Sequence, residues 1–150
     1  MKIYVDGSAQ PNPGKGGFGL VAMENDIVCY AYAHHEDETT NNRQELKGIL
    51  LAMIMYGDRK NVEVYSDSAY AVNTFNSWMF SWAKNGWIKS DKQVPENLDL
   101  IKEYYNLYQL GYRINLQKVK GHAGLLGNEL ADKLATKEIT PQEAMYYGRK

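Results

Sequence analysis

The sequence predicts an α/β fold, a five-stranded mixed β-sheet flanked by α-helices. Strand-like and helix-like segments follow the order β-β-β-α-β-α-α-β-α. The first three strands are joined by turn residues alone, which makes a hairpin-bearing start. The last two strands alternate with helical segments, which gives the sheet its mixed character.

Residues 2–6 alternate as a short strand, and residues 7–17 (GSAQPNPGKGG) form a turn-rich loop. Apolar and aromatic runs over 18–24 and 27–34 flank Asn25-Asp26 and predict an antiparallel hairpin. Glu36-Asp37-Glu38 follows as a charged loop. A helix then opens with Asn41 and Gln44, or Asn42 and Glu45, as capping residue and partner. Leu46, Ile49, Leu50 and Met53 give that helix one apolar face, and Gly57 stops it. Residues 62–66 alternate as a strand, and a short helical run starts near Ala69. Residues 77–93 gather three tryptophans, three lysines and one aspartate. Pro95 opens the next helix, with Leu98, Ile101, Tyr105 and Tyr108 on one face and Gly111 at its end. Residues 112–118 form the last strand, and Leu126, Leu130 and Leu134 mark a last helix.

At 150 residues the chain is sized for one domain over 1–150. Such a chain buries about two-thirds of its unfolded surface, enough for a core without staples. The single cysteine, Cys29, excludes an internal disulfide framework and a cysteine-rich zinc site, and it suits a reducing compartment. No apolar run approaches the roughly 18 residues of a spanning helix, so no membrane partner is expected. Met1 to Asp6 read as a strand rather than a signal peptide, and the expected location is cytoplasmic. Net charge is 17 − 18 = −1. That argues against a generic polyanion binder held by bulk positive field, and leaves room for a local basic patch.

Gly14-Lys15-Gly16-Gly17-Phe18-Gly19 matches a dinucleotide-binding pattern, but a β-rich run follows where that motif needs a helix. It reads as a glycine-rich turn entering a hairpin. The carboxylates carry more. Asp6 and Asp67 each end a strand before a small residue, and ligands of open α/β sheets bind beyond strand carboxyl ends. If the two strands were neighbours, their backbones would lie roughly 4.8 Å apart and both carboxylates could share one cation. Read singly, each Asp equally caps a turn. Glu45, in the first turn of its helix, reads as a capping acid or as a third ligand. Asp132 faces away from the Leu126/Leu130/Leu134 stripe, beside Asn128 and Glu129, as a solvated polar face or a fourth ligand. Clustered acids repel unless divalent cations neutralise them, and hard carboxylates without His or Cys favour Mg²⁺ or Mn²⁺. A pair of such ions suits phosphodiester hydrolysis. His122 sits in a glycine-flanked loop, where it is a surface residue or a proton handler.

These pieces together resemble the type I ribonuclease H family in its bacterial form. The stretches that carry the resemblance are Asp6-Gly7-Ser8 with Asn12-Pro13-Gly14 and Gly16-Gly17-Phe18-Gly19, then Thr39 to Glu45 (TTNNRQE), then Ser66-Asp67-Ser68. The last is Lys120 to Gly124 (KGHAG) with Asn128-Glu129 and Asp132. The resemblance implies the ribonuclease H-like fold and endonucleolytic hydrolysis of the RNA strand of RNA–DNA hybrids, leaving 5′-phosphate and 3′-hydroxyl ends. It implies that Asp6, Glu45, Asp67 and Asp132 hold two Mg²⁺, with Mn²⁺ as a possible substitute. His122 matches a mobile histidine that assists turnover, and Glu129 a neighbour of the metal ligands. Asn12, Asn41 and Asn42 match positions that contact the hybrid, Thr40 part of a DNA-phosphate pocket, and Arg43 sits beside it. Residues 77–93 look like the family's basic handle. There Trp82 and Trp87 are expected to be structural, with Trp78 nearer the DNA strand and Lys84, Lys89 and Lys92 on phosphate. Ala69 departs from relatives with a longer side chain there. The partner implied is the hybrid itself, met by a monomer. The competing readings are a catalytically silent hybrid-binding module, another nuclease on this fold, and a released reverse-transcriptase domain.

Overall fold

Apolar alternation gives β1 (Lys2–Ala9) two working faces. Ile3 and Val5 join one buried cluster, with Leu46, Ile49 and Met53 of α1 (Asn41–Tyr56). Tyr4 joins the other, with Leu130, Ala131 and Leu134 of α5 (Leu126–Ala135). The computed structural model describes residues 1–121 and 124–147. Its sheet has the order β3-β2-β1-β4-β5, with β2 (Gly14–Glu24), β3 (Ile27–Thr39), β4 (Glu63–Ser66) and β5 (Asn115–Lys118). The hairpin pairs β1-β2-β3 are antiparallel, and β1-β4 and β4-β5 are parallel. The expected mixed sheet is therefore present.

Several boundaries move from the sequence reading. Asp6 lies inside β1, not at its end, because Ser8 and Ala9 continue the ladder against Gly17 and Gly16. The glycine-rich segment is accordingly strand from Gly14 onward, and the loop shrinks to residues 10–13. Asn25 and Asp26, both at positive φ, make the tight hairpin turn. The charged run Glu36-Asp37-Glu38 is strand rather than loop. Glu36 pairs with Gly16 in the ladder, and its carboxylate binds Lys47 Nζ and Gln44 Nε2. Burial alone would raise Glu36, but those hydrogen bonds and the Lys47 charge outweigh it and hold its carboxyl at about 2.

The helices also shift. The cap of α1 is Thr40, one residue before Asn41 and two before Asn42, and its Oγ1 accepts from the Arg43 N–H at 3.1 Å. Gly57 does stop α1. The run from Ala69 is α2 (Ala69–Asn73), a π-turn over Thr74–Trp78, and α3 (Met79–Lys84). The next helix, α4 (Leu98–Gln109), begins three residues after Pro95, behind Asn97 at φ 59°. Its buried face is Leu100, Ile101 and Tyr104, with Leu98, Tyr105 and Tyr108 half-buried. Tyr104 decides that rotation by stacking on Phe75 at 3.9 Å between ring centroids. In α5, Leu126 is exposed, and Gly127, Leu130, Ala131 and Leu134 face the sheet instead. Gly127 lies flat on Tyr4, where a Cβ would come 2.1 Å from the ring. A sixth helix, α6 (Pro141–Tyr147), closes over β3.

Gly7 fixes the approach of α1 to β1. A Cβ there would lie 2.5 Å from the Glu45 backbone nitrogen and 2.6 Å from the Gln44 carbonyl carbon. We expect Gly7→Ala to push the helix off the strand and lower unfolding free energy by about 1–3 kcal/mol. Denaturant unfolding of the two proteins checks this, and an unchanged midpoint would show that α1 yields without cost.

Candidate active site

The β1-β4 register pairs Tyr4 with Tyr65, whose rings stack at 5.1 Å. Two residues further, the same register sets Asp6 level with Asp67 on the same face. The close contact at Gly7 brings the first turn of α1 over this point and delivers Glu45. Each of Asp6, Glu45 and Asp67 offers a carboxylate oxygen, and these oxygens lie within 4.8 Å of one another. Asp6 and Glu45 are buried and Asp67 is half-buried. Asp132, on α5, is near enough to Asp6 to help raise its carboxyl, but lies outside that 4.8 Å group. Three of the four expected acids thus converge, and the fourth adjoins them.

The local hydrogen bonds hold this geometry. The Gly7 N–H donates to Asp6 Oδ1 at 3.0 Å. The buried Ser66 hydroxyl donates to Glu45 Oε2 at 3.3 Å and accepts from the Ser68 N–H at 3.1 Å. Ser66 was matched by sequence only as part of a motif; its place one residue before Asp67, on the face opposite to that acid, is the signal that predicts contact with α1. Burial first, then the charges of Glu45 and Asp67, push the Asp6 carboxyl up to about 10. Burial and the Asp67 charge likewise push Glu45 up to about 7, against lowering hydrogen bonds from Asp6, Gly7 and Ser66. The cluster strongly resists full ionisation.

The residues expected to meet substrate lie on the 10–13 loop, the start of α1, and the segment from the π-turn to residue 93. Asn12 Oδ1 accepts from the Asn41 N–H at 3.1 Å, and Asn41 Oδ1 accepts from the Ala9 N–H at 2.5 Å. These two amides therefore pin the 10–13 loop to the start of α1, with Asn42 exposed beside them. Arg43 is turned elsewhere, in a two-pronged bond to Asp99 of α4 at 2.7 and 3.0 Å. Glu129 is exposed on α5. Gly121 passes against Asp67, where a Cβ would meet Asp67 Oδ2 at 2.9 Å. His122 lies outside the described residues. Trp78 is 42% exposed and touches Tyr70 and Trp82 edge-on or tilted. Trp82 and Trp87 are half-buried against the main core, and Lys84 is exposed at the end of α3.

The RNase H family model matches residues 1–140. The chain belongs to the ribonuclease H family. It is 40% identical over 140 residues to a ribonuclease H of Thermoanaerobacter sp. (strain X514), spanning 93% of this chain and 89% of that protein. The crystal structure of LC9-RNase H1, a type 1 RNase H with the type 2 active-site motif, matches with a TM-score of 0.74 at 28% identity, over 91% of this chain and 70% of that one. A foamy viral protease-reverse transcriptase in complex with RNA/DNA hybrid shares the fold, with a TM-score of 0.80 at 23% identity, over 91% of this chain and 19% of that one. Like its ribonuclease H relatives, the chain is a nuclease hydrolase by family. No helix among the described residues is long and apolar enough to cross a membrane.

The raised carboxyls give stability a sign with pH. The folded state holds protons on Asp6 and Glu45 that the unfolded chain releases near 3.8 and 4.5. From there up to about 7 for Glu45 and about 10 for Asp6, the folded state binds more protons, so this contribution to stability is lost as pH rises through that window. With a chelator present, Tm should fall across that window, and Asp6→Asn should flatten the fall. Added Mg²⁺ should restore Tm most at the upper end. Identical slopes in both proteins would mean the acids do not repel as placed.

Proposed function

We propose that this protein is an endoribonuclease that hydrolyses the RNA strand of RNA–DNA hybrids, leaving 5′-phosphate and 3′-hydroxyl ends. The convergence of Asp6, Glu45 and Asp67 carries this reading. A protein that only bound a polyanion would gain nothing from buried negative charge where phosphate must approach. The donor set suits Mg²⁺ or Mn²⁺, because it is made of hard carboxylate oxygens with no thiol among them. Asp6, Glu45, Asp67 and Asp132 would hold two such ions, and the chemistry these supply when bound is activation of water and neutralisation of charge at the leaving oxygen.

The chain's own residues do the rest. The Gly7 N–H and the Ser66 hydroxyl fix the Asp6 and Glu45 oxygens so that no reorganisation is needed as charge develops. Asn12, Asn41 and Asn42 stand at the rim, and amides suit the 2′-hydroxyls that distinguish RNA from DNA. Thr40, at the N-terminus of α1, suits a phosphate of the DNA strand. Trp78 offers a stacking or sugar-packing surface and Lys84 a charge for that strand. His122 carries protons or helps product leave.

Cleavage of a labelled RNA–DNA hybrid with Mg²⁺, beside single-stranded RNA and duplex DNA of the same sequence, tests the reading. Cutting should be confined to RNA in the hybrid. Asp6→Asn and Asp67→Asn should stay folded and lose more than the roughly 100-fold that removal of an outer partner costs at a metal site. A folded protein that cuts nothing would leave the silent hybrid binder, and cutting of duplex DNA would point to another nuclease of this fold. Near-normal rates in either variant would remove the acids from the chemistry. Replacing Lys84, Lys89 and Lys92 by Gln together should weaken hybrid binding and flatten its salt dependence. An unchanged salt slope would take the handle out of the interface.

A further inference from the structure

Beside the acidic cluster lies a cavity of about 350 Å³, lined by Ser8, Gln10, Lys15, His35, Thr136 and Lys137 together with Glu36 and Asp37. We propose that it holds a backbone phosphate of the nucleic-acid strand, adjacent to the phosphate that is cleaved; this rests on the hydrolase reading above. Ser8 lies two residues beyond Asp6 on the same face of β1, roughly 7 Å along the strand. Thr136 lies four residues beyond Asp132, about 6 Å along the α5 axis. Both routes from the acids thus reach the cavity after a step of the order of one nucleotide's backbone repeat. A strand whose scissile phosphate meets Asp6 and Asp132 lays its next phosphate here.

The charges fit that occupant. Lys15, from β2, and Lys137, just past α5, both line the cavity. The Glu36 carboxylate is taken by Lys47, Gln44 and His34, which leaves Asp37 as the acid opposing them. His35 Nε2 donates to the Leu134 carbonyl at 2.9 Å, which anchors the ring between β3 and the end of α5. The Ser8 hydroxyl and Gln10 amide add neutral donors.

Lys137 supplies an independent observation. The Lys137 N–H bonds the Leu134 carbonyl and the Glu138 N–H bonds the Lys133 carbonyl, the closing pattern of a helix that usually places glycine at this point. Lys137 occupies it at φ 65°, where a side chain is strained. A lysine at such a position on a cavity wall supports a role for its side chain.

The test compares Lys15→Gln/Lys137→Asn with the unaltered chain and with Lys60→Gln, an exposed lysine at the other end of the sheet. Asparagine tolerates the left-handed backbone at 137, so the fold should hold, which thermal unfolding checks. On a labelled hybrid, KM should rise about fivefold or more with kcat within about twofold. The slope of log(kcat/KM) against log salt should shrink by about one or more. Lys60→Gln should change neither. A methylphosphonate at one of the two linkages flanking the cleaved bond should raise KM for the unaltered chain and not for the double variant. A double variant that behaves like Lys60→Gln overturns the subsite. Hybrid affinity in Ca²⁺, read in parallel, separates the two failures. An unaltered chain that binds hybrid through these lysines but cuts nothing overturns the hydrolase alone. One that neither binds nor cuts overturns both.

Discussion

The repulsion among Asp6, Glu45 and Asp67 is the constraint around which the rest of the molecule is arranged. With three carboxylates held within 4.8 Å, the two buried ones, Asp6 and Glu45, oppose their own ionisation. They stay together because Asp6 lies within β1, Glu45 within α1, and Asp67 directly follows the last residue of β4. Parallel pairing of β1 with β4 sets two of them level, and Gly7 lets a helix start come down on the strand with the third. Behind them, Glu36 locks the far part of β3 to α1 through Lys47 and Gln44, and the Thr40 cap ends that helix where Glu45 needs it. Each tie is modest alone; together they oppose the motion that repulsion would drive, which is α1 lifting from the sheet. A cation placed among the acids would convert this stored cost into affinity, since binding to the folded state alone stabilises it.

The order of elements and the acids were legible because both are written in local pattern. Alternation marks β1 and β4, a 3–4 spacing marks α1, and an aspartate closing an apolar run marks Asp67. What escaped was set by contacts distant in sequence. Glu36-Asp37-Glu38 has the composition of a loop and becomes strand because β2 supplies a ladder and α1 supplies Lys47. The face of α4 follows Phe75, more than twenty residues upstream. The face of α5 turns to Gly127 because the absence of a side chain there lets Tyr4 fill the space, whereas a leucine-counting rule prefers Leu126. Convergence of the acids was the least legible feature. It depends on which strands are neighbours, and the resemblance supplied that where spacing could not.

The slight negative charge of the chain leaves room for a nucleic-acid surface, because several acids are paired with cations and three are gathered at one point. Glu36 is taken by Lys47, Asp99 by Arg43, and Asp91 by Lys89. In the handle Lys84 and Lys92 stay exposed beside Trp78, and Lys15 and Lys137 line the cavity at the end of α5. Under the proposed function, binding through a few placed cations rather than bulk field would make affinity depend on register along the hybrid and on salt in small integer steps.

A polar seam joins the acidic site to the handle. Arg43, two residues before Glu45, grips Asp99, and its Nη1 also donates to Asn97 Oδ1 at 3.4 Å. Asn97 Nδ2 donates to the Tyr70 hydroxyl at 3.3 Å, and Tyr70 meets Trp78 edge-on. The Arg43-Asp99 pair is partly exposed, and pairs of that kind add about 0–1 kcal/mol, so stability is a poor reason for it. Geometry is a better one. A guanidinium fork fixes direction as well as distance. It therefore sets the start of α4, the left-handed turn at Asn97, and through Tyr70 the orientation of Trp78 relative to Glu45. Under the proposed function a hybrid would touch the handle and the acids at once, which would require the separation between them to be held to within a fraction of a nucleotide. An arginine spent on that alignment is unavailable to phosphate, which is why Arg43, beside the expected phosphate pocket, points into the protein instead.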